Sequence, residues 1–144
     1  FVRLFPSKKI VAQFHEWLSG GALLYLKSRQ THIGTVFTTH ATFLGRVLTG
    51  ANFDLYSNID SIRPDEEAKR RGICAKHLTE KASALNADTL TTVSKITALE
   101  VEKSLGRKPD ILLPNGIDIG NFPTFEEISI QHRLQRDRIR AFLL

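Results

Sequence analysis

Four short apolar runs, Ile10–Phe14, Gly34–Phe37, Thr89–Val93 and Ile111–Leu113, each end in a polar cluster. The clusters are His15-Glu16-Trp17, His40-Ala41-Thr42, Ser94 and Pro114-Asn115-Gly116. Helical patterns follow the first three, as expected of βα units in a parallel sheet. The fold class read from this alternation is α/β, a parallel sheet with flanking helices. Sheets of this kind bind ligands outside the carboxyl ends of their strands. The reading therefore lines up His15, His40, Ser94 and Asn115 along one rim.

Composition narrows the function classes. The 144 residues suffice for one domain with a core, at 42% hydrophobic and 24% charged content. No apolar run approaches the length needed to span a bilayer, and no basic-apolar-small pattern opens the chain. Cys74 is the only cysteine, which rules out an internal disulfide and fits a reducing, cytoplasmic setting. The chain starts at Phe1 and contains no methionine, so it is expected to be a piece of something longer. A net charge of +5 and a pI near 9.6 favour an anionic partner. The basic residues are dispersed, however. Arg70-Arg71 is offset by Asp65, Glu66 and Glu67, and the Arg133–Arg140 cluster closes a helix. A nucleic-acid module predicts clustered lysine and arginine with interleaved aromatics, and neither is present. The expectation is solvated helix faces, with no nucleic acid and no membrane as partner.

Along the chain, residues 1–7 read as the tail of a helix ended by Pro6, and Lys8–Phe14 as a strand. Trp17–Arg29 reads as a helix with Leu18, Ala22, Tyr25 and Leu26 on one face. Gly20-Gly21 weakens it by roughly 1 kcal/mol per glycine relative to alanine, a cost tolerated where a backbone must approach something closely. Gly34–Thr39 is a strand and Ala41–Leu48 a short helix. Thr49–Arg63 is a loop, long enough to suggest a functional or insertion role. Pro64 opens a helix that runs, with a break at Gly72, to about Leu85. Cys74, Leu78, Ala82 and Leu85 share a stripe, so Cys74 reads as a buried core residue. Asp88–Val93 is a strand, Ser94 caps the helix Lys95–Leu105, and Gly106 ends it. Asp110–Leu113 is the last strand. The capping box Thr124-x-x-Glu127 starts a final helix toward Leu144.

Familiar catalytic signatures are missing. The histidines at 15, 32, 40, 77 and 132 form no H-x-x-x-H pair and have no cysteine partner, so no metal site is expected. Neither a G-x-S-x-G elbow nor a glycine-rich phosphate loop occurs. Glu16 suits a catalytic carboxylate, but no partner carboxylate can be assigned. His40 stands between a strand and a helix whose N-terminus offers N–H groups to an anion, with Arg46 within reach of a phosphate bound there. Equally, His40 caps the helix or bonds to a neighbouring loop, and Arg46 is a surface charge. Both readings stand on pattern alone. Trp17 suits stacking on a sugar but equally half-buried packing. Asn115-Gly116 has the composition of a turn needing positive φ.

The stretches AQFHEWLSG, TVFTTHATFLGR, EKASALNADTLTTVSKITALE and GRKPDILLPNGIDIGNF together resemble the glycogen synthase family of glycosyltransferases, from about Val11 to Phe122. TTHATFLGR and KPDILLPNGID, in this order, are the specific segments. The resemblance implies a GT-B fold, two Rossmann-like domains with the active site in the cleft between them. It implies glucose transfer from UDP-glucose or ADP-glucose to the non-reducing end of an α-1,4-glucan, with retention and without metal or cofactor. Residues 1–144 would then be a partial N-terminal Rossmann-like domain. The first strand and glycine-rich loop are expected before Phe1, and the second domain, with its catalytic glutamate, after Leu144. Such a fragment is expected to be inactive alone and to hold no catalytic residue. By the same resemblance His40 lies near the donor glucose and Arg46 faces its diphosphate. His15 and Glu16 line the acceptor side of the cleft, and Asn115 and Gly116 form a turn facing it. A related glycosyltransferase with another acceptor is the alternative, against which TTHATFLGR argues. A sheet that has lost neighbours also predicts a homo-oligomer, through an unpaired edge or a swapped last helix.

Overall fold

The apolar runs form the strands of one sheet in the computed structural model, which describes residues 4, 7–29, 31–122, 124–125 and 127–143. The order is β1 (Val11–His15), α1 (Glu16–Ser28), β2 (Gly34–Thr39), α2 (Phe43–Gly50), α3 (Pro64–Arg70), α4 (Cys74–Asn86), β3 (Thr89–Thr92), α5 (Lys95–Leu105) and β4 (Ile111–Leu112). Strands β1 to β4 pair in sequence order, each parallel to the next. Because right-handed crossovers that always advance in one direction deliver their helices to one side, a single helical layer covers the sheet. The register sets Phe14, Phe37 and Leu90 side by side on that face. They meet Leu23 of α1, Ala84 of α4, and Val101 and Leu105 of α5 in the main core.

Side chains alternate along a strand, so Gln13, Thr38 and Thr91 face the other side. There Gln13 Nε2 donates to Thr38 Oγ1 at 3.0 Å, and the Thr38 and Thr91 hydroxyls bond at 2.8 Å. Val11 and Ile111, on the same side, are largely exposed.

Helix boundaries follow capping chemistry. Thr42, not His40, caps α2, with its Oγ1 accepting from Gly45 N at 2.9 Å, so this helix starts later than the Ala41 expected. Ser94 Oγ accepts from Thr97 N at 3.1 Å, and Gly106 closes α5 at φ +78°. Gly72, at φ +68°, separates α3 from α4. The long loop is packed rather than loose: Leu55 and Ile59 are buried, and Leu55 joins Leu44 and Leu48 of α2 in a second core.

Two buried stripes differ from expectation. In α1 the buried positions are Gly20 and Leu23, while Leu18 and Tyr25 are exposed. A Cβ on Gly20 would lie 2.4 Å from Ser83 Oγ of α4, so the glycine lets the two helices touch. In α4 the buried residues are His77, Glu80, Ser83 and Ala84, while Leu78 and Leu85 face out and Cys74 is only half-buried. In α4 the apolar stripe is not the inward face because polar side chains take that face, His77 against Asp65 of α3 and Glu80 against Thr39 and Phe43.

The chain divides into two compact units, Phe1–Pro114 and Asn115–Leu144. The second holds a 3-10 turn, Ile119–Asn121, opened by Asp118, whose Oδ1 accepts from Gly120 N at 3.1 Å. The helix α6 (Ile128–Leu143) follows, and none of its described residues is buried. Glu127 Oε2 accepts from Thr124 N at 3.3 Å, half of the expected capping box. Asn115 and Gly116 lie in a segment without regular structure, and neither is among the described residues with positive φ. The expectation of a helix tail over residues 1–7 falls mostly outside the described residues, which there are 4 and 7, both in turns.

Candidate functional site

Glu16 stands at the end of β1 with φ +60°, a left-handed conformation rare for a residue with a side chain. Such a conformation costs on the order of 1–2 kcal/mol and persists where surrounding contacts enforce it. One oxygen, Oε1, gathers those contacts. It accepts from His40 N at 2.9 Å, lies 3.0 Å from His40 Nδ1, and accepts from Arg46 Nη2 at 3.2 Å. The strained backbone aims the carboxylate across the strand ends toward the β2–α2 turn. The His15 ring stacks on His40 with centroids 5.5 Å apart.

Four residues singled out in the sequence therefore meet in one cluster: His15, Glu16, His40 and Arg46. Its carboxylate is sheltered, whereas the Arg46 side chain is 54% and the His40 side chain 38% accessible. A cation and an imidazole thus face solvent from a fixed base at the carboxyl ends of β1 and β2. Behind them Trp17 meets Phe43 edge-on, and Lys76 Nζ lies 5.0 Å and 4.7 Å from the two ring centroids. Trp17 is thus held in packing. Asn115 and Gly116 belong to the second unit, and the cluster belongs to the first. That second unit has a groove of about 600 Å³ between Phe122, Ile128 and His132, with no buried side chain on its helix.

Two further carboxylates reach the same turn from the helical layer. Glu100 of α5 is 2% exposed, and its Oε1 accepts from Thr42 N at 2.7 Å and from Thr42 Oγ1 at 2.6 Å. Its Oε2 accepts from the Tyr56 hydroxyl at 3.0 Å, which joins the long loop to the site. Glu80 of α4 is fully buried, and its Oε2 accepts from Phe43 N at 2.8 Å and its Oε1 from Thr39 Oγ1 at 3.3 Å. Burial pushes the Glu80 carboxyl up to about 7. The charges of Glu16 and Glu100 add to the rise, and the Phe43 and Thr39 bonds oppose it. Burial and the Glu100 charge likewise raise the Tyr56 hydroxyl above the usual phenol range.

These bonds correct the expectation of a helix end open to an anion. The N–H groups of His40, Thr42, Phe43 and Gly45 are already engaged by the protein's own oxygens. What the α2 end offers a ligand is the exposed Arg46 guanidinium and the His40 ring. Glu80 and Glu100 were not recognised as site residues from sequence. The stretch EKASALNADTLTTVSKITALE starts on one and ends on the other, but the apolar spacing of α4 runs through Leu78 and Leu85, which face out, so no local signal marks Glu80 as inward. Among the described residues no group of three histidine, cysteine or acidic side chains is placed to hold a metal ion. No helix among them is long and apolar enough to cross a membrane.

The family model described as glycogen synthase matches residues 2–144. The chain is 47% identical over 135 residues to glycogen [starch] synthase isoform 2 of Saccharomyces cerevisiae, covering 93% of the chain and 19% of that protein. It is 44% identical over 136 residues to the liver glycogen [starch] synthase of Homo sapiens, covering 94% and 19%. Identity to the Neurospora crassa glycogen [starch] synthase is also 44% over 136 residues, with the same coverage. The chain thus spans about a fifth of the length of the curated relatives it matches.

Proposed function

Since the chain belongs to the glycogen synthase family, we propose that it supplies one wall of the donor site of a retaining glucosyltransferase. That enzyme would move glucose from a nucleotide sugar, UDP-glucose or ADP-glucose, to the non-reducing end of an α-1,4-glucan. The observation that carries this reading is the Glu16–His40–Arg46 cluster, fixed at its base and open at its cationic tip. Breaking the sugar–phosphate bond leaves negative charge on a diphosphate. A guanidinium held beside it lowers the barrier without having to reorganise. Glu16 holds Arg46 in place and keeps the His40 ring turned toward the same rim. His40 then donates to or accepts from a donor sugar hydroxyl, and His15, stacked on it, borders the acceptor side with Glu16. In this reading Asn115 and Gly116 face the cleft from the segment after β4. The catalytic glutamate and the base-recognising site belong to a second domain, and residues 1–144 form part of the first. Neither a metal nor a cofactor enters the reaction. The 144 residues alone then lack half of the cleft and do not turn over.

The test is kinetic, in the full-length protein that contains this segment. Arg46→Ala and His40→Ala each lower kcat/KM for the nucleotide sugar by about 10- to 150-fold, as a lost charge-assisted contact of roughly 1.5–3 kcal/mol requires. Labelled glucose is not incorporated into glycogen by the 144-residue chain. Wild-type rates in both folded variants would sink the donor-site assignment.

A further inference from the structure

The Thr39–Phe43 turn is gripped by more negative charge than its stability calls for. Three of its peptide N–H groups, those of His40, Thr42 and Phe43, each bond to a different glutamate, and each glutamate comes from a different helix. Two of the three, Glu80 and Glu100, are essentially excluded from water. Burying carboxylates is costly, and buried ionic groups are often replaceable by apolar ones at no loss of stability. Glu80 is also repelled by the charges of Glu16 and Glu100. An uncharged serine or asparagine caps a helix N-terminus without that penalty. What this arrangement does supply is position. The turn is tied on three sides, and the Tyr56 hydroxyl fixes Glu100 in its turn. Gly45 belongs to the same device. A Cβ there would sit 2.2 Å from Glu100 Oε1, so only glycine admits the carboxylate against the first turn of α2.

We propose that Glu80 and Glu100 are positioning residues of the donor site, holding the Thr39–Phe43 turn from behind so that the His40 ring and the start of α2 are set for the transferred sugar. The proposal rests on the reading that His40 and Arg46 face the nucleotide sugar. Neither Glu80 nor Glu100 touches substrate. They act on the reaction through the peptide groups of the turn. The groups facing Glu80 from its surroundings are Glu16 at the start of α1 and Glu100 on α5, with Phe43 N–H and the Thr39 hydroxyl as its bonding partners. On its own helix, Lys76 turns to the Trp17 and Phe43 rings and His77 to Asp65.

The experiment uses the full-length protein and follows glucose transfer from UDP-glucose into glycogen. Glu80→Met and Glu100→Met keep side-chain length but remove the acceptor, and Glu80→Gln and Glu100→Gln keep an acceptor and remove only the charge. Loosening a reacting group by an ångström costs up to about a hundredfold, so the Met variants are expected to lose at least about tenfold in kcat. Donor KM should move less than about threefold, and the Gln variants should recover most of the lost kcat. Thr42→Val loosens the same grip from the turn side: it removes the hydroxyl bond to Glu100 and the cap on Gly45 N, leaves the Thr42 N–H and both glutamates in place, and is expected to lower kcat by a smaller factor. It stands in should a Met variant fail to fold. A merely structural role predicts that kcat follows thermal stability, with no recovery specific to Gln. Wild-type kcat in folded Thr42→Val, or in either folded Met variant, would overturn the proposal. His40→Ala separates the two layers. If it is slow while the Met and Thr42 variants are not, positioning alone fails. If it is itself at wild-type rate, the donor-site reading fails.

Discussion

Glu80 carries a cost that pH can reveal. Its carboxyl titrates near 7 in the folded chain against an ordinary 4.5. Between those values the folded state binds more protons than the unfolded state, so stability falls as pH rises through this window. The expected loss from pH 5 to pH 8 attributable to this group is about 2–3 kcal/mol. Asp88 behaves in the opposite sense. The Lys27 ammonium, then the Thr35 N–H and hydroxyl, hold it down to about 2. Its contribution is present above the ordinary 3.8 and is lost as pH falls through 2, outside the Glu80 window. Urea denaturation at pH 5 and pH 8 should therefore show a drop in the wild type that shrinks by that amount in Glu80→Gln. An unchanged difference between the two proteins would contradict a buried, titrating carboxylate. At this scale the sequence was legible where a residue stands at a strand end. His15 and His40 could be listed because βα punctuation marks the rim, and Glu16 and Arg46 because they follow them closely in the chain. Glu80 and Glu100 could not, because nothing local distinguishes a glutamate aimed at a distant turn from one aimed at water.

Helix packing explains which element readings held. Ser94 and Gly106 bound α5 as expected, since capping depends on neighbours a few residues away. The buried faces of α1 and α4 do not follow their apolar spacing. At their closest approach Gly20 of α1 stands against Ser83 and Thr79 of α4, with Leu23 and Ala84 meeting in the core beside them. Two glycines that look alike in sequence should respond oppositely to alanine. Gly21 has open space where a Cβ would go and lies inside α1, so Gly21→Ala is expected to stabilise by about 0.5–1 kcal/mol. Gly45 has Glu100 in that space, so Gly45→Ala is expected to destabilise by about 1–3 kcal/mol. Chemical denaturation of both variants checks the pair. A stabilising Gly45→Ala would mean that Glu100 is free to move away.

For the molecule as a whole, the alternation of apolar runs and helical patterns was enough to establish an α/β chain with a parallel sheet. Which side of the sheet the helices take follows from the strand order, which local sequence does not encode. That order leaves Val11, Ile111 and Leu113 exposed on or beside the sheet. Exposed apolar strand residues favour association. The chain is therefore expected to sediment at micromolar concentration above its monomer mass of 16.2 kDa. A clean monomer at equilibrium would overturn that. In the first unit part of the positive charge is locally answered, by pairs such as Arg70–Glu67, Lys81–Asp65 and Arg107–Asp110. The strand order has one more consequence, for how such a sheet comes into being. Each strand pairs with the one that precedes it in the chain, so a polypeptide emerging from its N-terminus always finds its next partner already present. Among the described strands none has to wait for a later segment, synthesis and sheet growth run in the same direction, and the longest closure is the one from Thr39 of β2 to Thr89 of β3.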